Sequence, residues 1–353
     1  MRFDLTDEQK ALREMLTDFL RDRFGGAQGV EATAHSELDA ELWSDVTELG
    51  LAGAMVPEDA GGLGLDLLTA AVIAEVVGHY AVPAPVVPSI LAAWLIATAG
   101  SEEQKGKWLP KLLGEGALAS FALADEGGWR PADWTLDGEA PAGVKRNVER
   151  ADGADLFIVG GRGGTLSLVE AASVALTPID SLDRSRPLFD VTFDGSAADV
   201  LSRDPVLAER LFDALCVCIA ADALGAASAI QARAIDYAKE RKQYGQLIGA
   251  FQALKHQLAD MSVELEPARP LVWYAAHAWD MGQDDAPRMA ALAKAHLTDI
   301  AVVVARGAIE AHGGIGYTWE HPAHLFLKRA MADRSLLGGV NEHRERAAAL
   351  AGW

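Results

Sequence analysis

A chain of 353 residues, half of them hydrophobic, can bury two or three layers around a substantial core; its 51 Asp and Glu against 31 Lys and Arg leave a net charge of −20. That charge repels nucleic acid and acidic membrane surfaces, which excludes a DNA- or RNA-binding role and a peripheral membrane anchor. Its only cysteines, Cys216 and Cys218, sit two apart in an apolar run, a spacing that suits neither a disulfide nor a zinc knuckle and predicts buried thiols.

The first residues, Met1 to Lys10, are acidic where a secretory signal needs an apolar run, and no later stretch approaches about 18 uninterrupted apolar residues. A cytoplasmic location is expected. From Leu5 to about Glu115 the apolar positions Leu12, Met15, Leu16, Phe19 and Leu20 recur at helical steps, and Thr6 with Gln9 predicts a capping box. A second helix is expected at about 36–49. The glycine-bearing loop Pro57–Leu65 precedes a further helix from about Asp66. Pro83, Pro85 and Pro88 break the chain ahead of helices at about 89–99 and 102–113.

At Ala117 the texture changes. Short apolar or alternating runs at 119–124, 156–160, 165–169, 173–177 and 188–193, separated by Gly, Asp and Pro, predict strands. Beyond Asp204 the pattern is helical again. Ile248, Phe251, Leu254, Leu258, Met261 and Leu265 track one face, and Met289, Leu292, His296, Ile300, Val303 and Val304 another. The expected fold class is α+β: an N-terminal helical domain (1–117), a small middle antiparallel β domain (118–203) and a C-terminal antiparallel helical bundle (204–353).

Two C-terminal segments narrow the function. Arg241, Gln243, Tyr244, Gly245, Ile248, Phe251 and Gln252, followed by Leu258-Ala-Asp-Met261, form one; Glu310-Ala-His-Gly-Gly-Ile-Gly-Tyr-Thr-Trp-Glu-His-Pro322 forms the other. Both resemble signature segments of the acyl-CoA dehydrogenase flavoenzymes. The resemblance extends to Asp4–Gln9, Leu49–Leu51, Pro57–Gly64 and Gly100–Pro110, and so covers nearly the whole chain. It implies FAD as cofactor, an acyl-CoA substrate from fatty acid or steroid side-chain oxidation, and an electron-transfer flavoprotein as acceptor. It also implies a homo- or hetero-oligomer, a dimer of dimers, that shares FAD across an interface.

Arg241, Gln243, Tyr244, Phe251, Gln252, Glu310, Gly313 and Gly314 would then clamp the FAD of a neighbouring subunit. An arginine supplies a forked donor to phosphate, and glycines let backbone N–H groups approach closely. Glu310 stands where the family carries Gln, and an ionised carboxylate cannot donate a hydrogen bond. Asp213 aligns with a residue that contacts the CoA arm.

The middle domain departs from the family. Ala124 lacks a hydroxyl that contacts the flavin, and Asn147, Val148 and Glu149 replace a Trp-Ile-Thr run that packs on it. The reaction also needs a carboxylate to take the α-proton. In the family it sits at one of two positions, which here are Leu337 and Leu215; the remaining candidates are Asp222 and Glu342. Three readings follow: a FAD-dependent acyl-CoA dehydrogenase subunit, a base-lacking FAD-clamping partner in an α2β2 assembly, or a non-redox acyl-CoA-binding protein. No metal site is expected, because His321 and His324 have no third ligand. No nucleophile elbow or dinucleotide-binding glycine fingerprint is present either.

Overall fold

The computed structural model describes residues 4–25 and 37–353. Helix α1 (Asp7–Phe24) starts at the expected capping box: Thr6 Oγ1 accepts from Gln9 N, and the Gln9 side chain accepts from Thr6 N. The expected second helix is α2 (Ala40–Glu48), which begins where Asp39 caps Glu41 N and Leu42 N; Ser36 lies outside the described residues. Helix α3 (Leu67–His79) is capped twice. Asp66 accepts from Thr69 N at 2.8 Å, and Asp280, far along the chain, accepts from Leu67 N at 2.8 Å and Leu68 N at 3.1 Å.

Helix α4 (Val86–Ala99) begins earlier than expected and holds Pro88 in its first turn, where a missing N–H breaks no intrahelical bond. Helix α5 (Glu102–Gly114) opens on a second capping box, Ser101 with Gln104.

Seven strands follow: β1 (Ala119–Ala122), β2 (Ala142–Glu149), β3 (Leu156–Gly161), β4 (Thr165–Glu170), β5 (Ala175–Ile179), β6 (Leu188–Asp194) and β7 (Asp199–Ser202). They form two sheets. One has the order β1-β3-β4-β7, antiparallel except for the β1–β3 pair; the other is the antiparallel β2-β6-β5. A small core of Val148, Phe157, Val159, Val191 and Phe193 lies within this region. Strands β2 and β7 were not predicted, because β2 reads as a charged run. Its Lys145 is nevertheless wholly buried, bonded to Asp125 and to Leu123 O, both at 2.8 Å.

The C-terminal part comprises α6 (Pro205–Glu240), a hairpin of β8 (Lys242–Gln243) and β9 (Gln246–Leu247), and helices α7 (Gln252–Leu265), α8 (Arg269–Asp280), α9 (Ala286–His312), α10 (Ala323–Ser335) and α11 (Val340–Leu350). Helix α6 is long and apolar enough to cross a membrane, but 89% of its most apolar window is buried in this bundle. It packs backbone to backbone on α3: a Cβ added at Gly78 would lie 2.1 Å from Asp222 O, and one at Gly225 1.8 Å from Glu75 O. Cys216 and Cys218 are buried on it, and burial pushes the Cys216 thiol up to about 12. On α9 the expected apolar face is shifted, with Met289, Ile300 and Val304 inside but His296 and Val303 exposed.

Candidate functional site

One pocket, of about 470 Å³, opens where all three parts of the chain meet. Its first wall is β1 and β2, with Phe121, Leu123, Asn147 and Glu149; its second is α6 and the loop before α11, with Leu215, Ile219, Leu336 and Leu337. Local chemistry fixes the first wall. Asp125 takes the Lys145 ammonium and accepts from Gly127 N and Thr135 N at 2.9 Å each; burial alone would raise its pKa, but these partners hold it at about 2. Beyond Lys145 the register of β2 against β6 slips, and Asn147 takes the left-handed conformation, φ +54°. Such strained bulges re-aim side chains beside functional sites. Here Asn147 and Glu149 both line the pocket.

The second wall carries the two leucines that the resemblance alone aligns with the family's base. Leu215 on α6 and Leu337 line the same pocket. Leu337 has φ +60° and Gly338 φ +100°, an unusual turn that two buried side chains brace. Lys294 Nζ donates to Gly338 O at 3.1 Å, and His343 Nε2 bonds Leu337 O at 2.9 Å. Burial pulls Lys294 down to about 8; burial, together with the nearby Lys294, pulls His343 down to about 4, so the ring is neutral. The loop is therefore held in place around Leu337.

A second pocket, of about 450 Å³, shares Pro88, Glu149, Leu215 and Ile219 with the first. Its lining includes Arg186, Asp222 and Arg329. Asp222 Oδ1 accepts from Arg186 Nη2 at 2.7 Å and Arg329 Nε at 2.8 Å, and its Oδ2 accepts from Arg329 Nη2 at 2.6 Å. Arg186 also pairs with Asp333. Arg329 donates as well to Ser185 Oγ at 3.1 Å and Val82 O at 3.3 Å. The cluster thus ties the N-terminal helices, the strands and two C-terminal helices at one point. The arginines outweigh burial and hold Asp222 well below the usual carboxylate range, whereas burial beside Asp222 pushes Asp333 up.

These placements bear on the three carboxylates expected from sequence. Asp222, a candidate base, has both oxygens engaged by arginines, which stabilise its charged form and so remove the basicity that proton abstraction needs. Glu342 is exposed in the first turn of α11 and lines neither pocket. Asp213, expected at the CoA arm, is 2% exposed and bonds Arg346 Nη1 at 2.6 Å, so it braces α11 against α6. Burial raises its pKa to about 6 despite that partner.

The residues expected to clamp FAD behave differently. Arg241, Gln243, Tyr244, Gln252, Glu310, Gly313 and Gly314 are all exposed, and Phe251 is half-buried. Tyr244 stands 93% exposed with φ +51°, edge-on to Phe251 at 6.2 Å between ring centroids. Arg241 makes no side-chain hydrogen bond or ion pair among the described residues. A Cβ at Gly313 or Gly314 would meet nothing within 4 Å. Free guanidinium, bare backbone and an upright aromatic fit a phosphate-bearing group that arrives from outside the subunit. Glu310 accepts from Gln257 Nε2 at 2.9 Å. The ring of His321 lies 4.1 Å from that of His312, and His324 packs on Trp319. Among the described residues no three metal-binding side chains converge.

Arg186, Arg329 and Asp333 were not anticipated as site residues, nor was the reach of Asn147 and Glu149 into the pocket. Charged residues embedded in apolar runs, as in Phe326-Leu-Lys-Arg-Ala-Met-Ala-Asp333, were the available signal.

Comparison with known proteins agrees with this geometry. Residues 6–115 match the family model "Acyl-CoA dehydrogenase, N-terminal domain", and 206–350 match "Acyl-CoA dehydrogenase, C-terminal domain". The chain is 31% identical to acyl-CoA dehydrogenase IpdE2 of Mycolicibacterium smegmatis over 97% of its own length and 98% of the relative's. It is 32% identical to acyl-CoA dehydrogenase FadE34 of Mycobacterium tuberculosis, with 98% of this chain matching 48% of that longer protein. Among solved structures, the Tcur3481-Tcur3483 steroid ACAD superposes with a TM-score of 0.88 at 29% identity, covering 98% of each chain.

Proposed function

The chain belongs to the acyl-CoA dehydrogenase family, and from that membership we propose that it is a subunit of a FAD-dependent oligomer that removes the α- and β-hydrogens of an acyl-CoA. The observation that carries this reading is the convergence of Leu215 and Leu337 on one pocket. The two positions lie far apart in sequence, and a fold that keeps both on one cavity keeps the geometry in which a thioester is held.

In this reading the acyl group enters between β2 and α6, and the apolar side chains Phe121, Leu123, Ile219 and Leu336 exclude water around the reacting carbons. Asn147 supplies an amide beside them. FAD, when bound, supplies the acceptor for the hydride that leaves the β-carbon. Arg241, Gln243, Tyr244, Phe251, Gln252, Glu310, Gly313 and Gly314 would hold it, the arginine as a forked donor to phosphate and the glycines through bare backbone N–H groups. All of these belong to the subunit that does not own that flavin, so the oligomer is needed for cofactor binding. An electron-transfer flavoprotein takes the electrons. The steroid enzyme among the similar structures supports a bulky acyl group such as a steroid side chain. Domain boundaries at about 117 and 203 are supported by helices that end at Gly114, strands that run from Ala119 to Ser202, and α6 starting at Pro205.

The test is flavin stoichiometry. Protein produced alone is expected to purify with about one FAD per chain in a dimeric or larger species. A colourless preparation that acquires flavin only with a co-produced relative would replace this reading with that of a clamping partner.

A further inference from the structure

An apolar acyl chain needs only apolar walls, yet the second pocket carries arginines where the first has none. The two pockets share Pro88, Leu215 and Ile219; beyond these the second is lined by Val77, Val87 and Cys218, and by Arg186, Asp222 and Arg329. Leu215, Ile219 and Asp222 follow one another along α6, and the step from the first to the last spans about 10 Å. Arg186, from the loop between β5 and β6, is the most open of the charged three, at 8% exposed against 3% for Asp222 and 1% for Arg329. Its Nη1 goes to Asp333 and its Nη2 to Asp222, while its Nε makes no hydrogen bond among the described residues. A guanidinium has five N–H donors, so these two partners leave donors over. A methyl end packed against them would strip their water and return nothing, whereas an oxygen accepts in place of that water. The charge around Arg186 is already matched: Asp222 and Asp333 pair with it, and Glu149 and Asp183 lie near enough to act on it. A further carboxylate would be repelled, so the oxygen that suits this floor is a neutral one.

We propose that the second pocket receives the far end of the acyl group and that Arg186 selects a neutral oxygen there, a ketone or hydroxyl about 10 Å from the reacting carbons. The proposal rests on the dehydrogenase reading above. The thioester end lies beside Leu215 and Leu337, and the acyl group passes Ile219 to reach the floor. Asp222 and Asp333 hold the guanidinium in place from α6 and α10, so the donor is fixed before the acyl group arrives. Arg186 is thereby a specificity residue for the acyl group and takes no part in the bond changes.

The experiment measures calorimetric binding of 3-thia-acyl-CoA thioesters to the FAD-loaded oligomer; sulfur at the β-position leaves these probes no hydride to transfer. Three probes of equal length, long enough to span about 10 Å beyond the thioester, end in a methyl group, a methyl ketone or a carboxylate. A fourth is too short to pass Ile219. The ketone should bind about 10- to 100-fold more tightly than the methyl-ended probe, and the carboxylate no better than the methyl-ended one. Arg186→Gln should reduce the ketone's advantage to less than about threefold while the short probe keeps its affinity, with the melting temperature reporting that the variant is folded. Ile219→Phe, which narrows the neck without touching the ion pairs, should remove the same advantage should Arg186→Gln fail to fold. Equal binding of the ketone and methyl-ended probes, tightest binding of the carboxylate, or an advantage that survives in the folded variant would overturn the assignment. A wild-type protein that binds none of the four, the short probe included, would overturn the dehydrogenase reading and this proposal with it.

Discussion

Asp222→Asn separates structure from chemistry at the pocket floor. The substitution removes the charge from a carboxylate that receives three hydrogen bonds of 2.6 to 2.8 Å from Arg186 and Arg329. Breaking one side of a buried ion pair costs about 3–5 kcal/mol, because the partner charge is left without compensation. Two features place the cost near the lower end. Arg186 keeps Asp333, which burial and Asp222 now hold up and which would ionise more readily once Asp222 is neutral. Arg329 keeps Ser185 Oγ and Val82 O. A loss of about 3 kcal/mol corresponds to a fall of roughly 4 °C in the melting temperature of a chain of 353 residues, followed by scanning calorimetry at fixed protein and FAD concentration. Flavin bleaching by acyl-CoA, measured per folded molecule, should persist. A shift under about 1 °C, well below the expected fall, would show that the cluster does not hold the three parts together. An unshifted melt with bleaching abolished would make Asp222 a reacting group and refute the structural role.

Further outcomes follow from single contacts. Arg241→Ala should weaken FAD binding by about 10- to 100-fold, measured by fluorescence titration, while the melt of the apo-protein moves by less than about 0.5 kcal/mol; a large melt shift would place Arg241 in the fold instead. Gly225→Ala should cost about 3 kcal/mol or prevent folding, read as the soluble fraction and the denaturation midpoint, because its Cβ would meet Glu75 O at 1.8 Å. His343 is held at about 4 in the fold against 6.5 when free, so the unfolded chain binds its proton first. Its contribution is therefore complete above pH 6.5 and is lost as pH falls towards 4, by roughly 3 kcal/mol in all. His343→Gln, which can still donate to Leu337 O, should flatten that part of the stability–pH curve; equal slopes for both proteins would contradict the assignment.

The helical frame was legible because its signals are local. Thr6 with Gln9 and the approach to Asp66 announce helix starts within a few residues, and the glycines and prolines mark the breaks between helices. Strand β2 was not legible, because Lys145 faces inward and is satisfied only by Asp125, a partner 20 residues away that no periodicity reveals. The same limit hid the site. Leu215 and Leu337 could be aligned with the family's base positions, but their meeting on one pocket depends on how α6 packs against the loop before α11. Asp222 read as a spare carboxylate because Arg186 and Arg329 approach it from two distant segments. Glu149 read as a loss from a flavin-contacting run, whereas the bulge at Asn147 turns it into the neck between two pockets. Arg241, Tyr244, Gly313 and Gly314 were singled out by pattern alone, and the fold leaves all four exposed.

The central claim is that this pocket holds an acyl-CoA against FAD for α,β-dehydrogenation. Anaerobic titration of the FAD-loaded oligomer with straight-chain, branched and steroid-side-chain acyl-CoA thioesters tests it most directly. At least one of them should bleach the visible flavin absorbance at a stoichiometric endpoint and yield the α,β-unsaturated thioester. Flavin that stays oxidised in the presence of every bound thioester would contradict it.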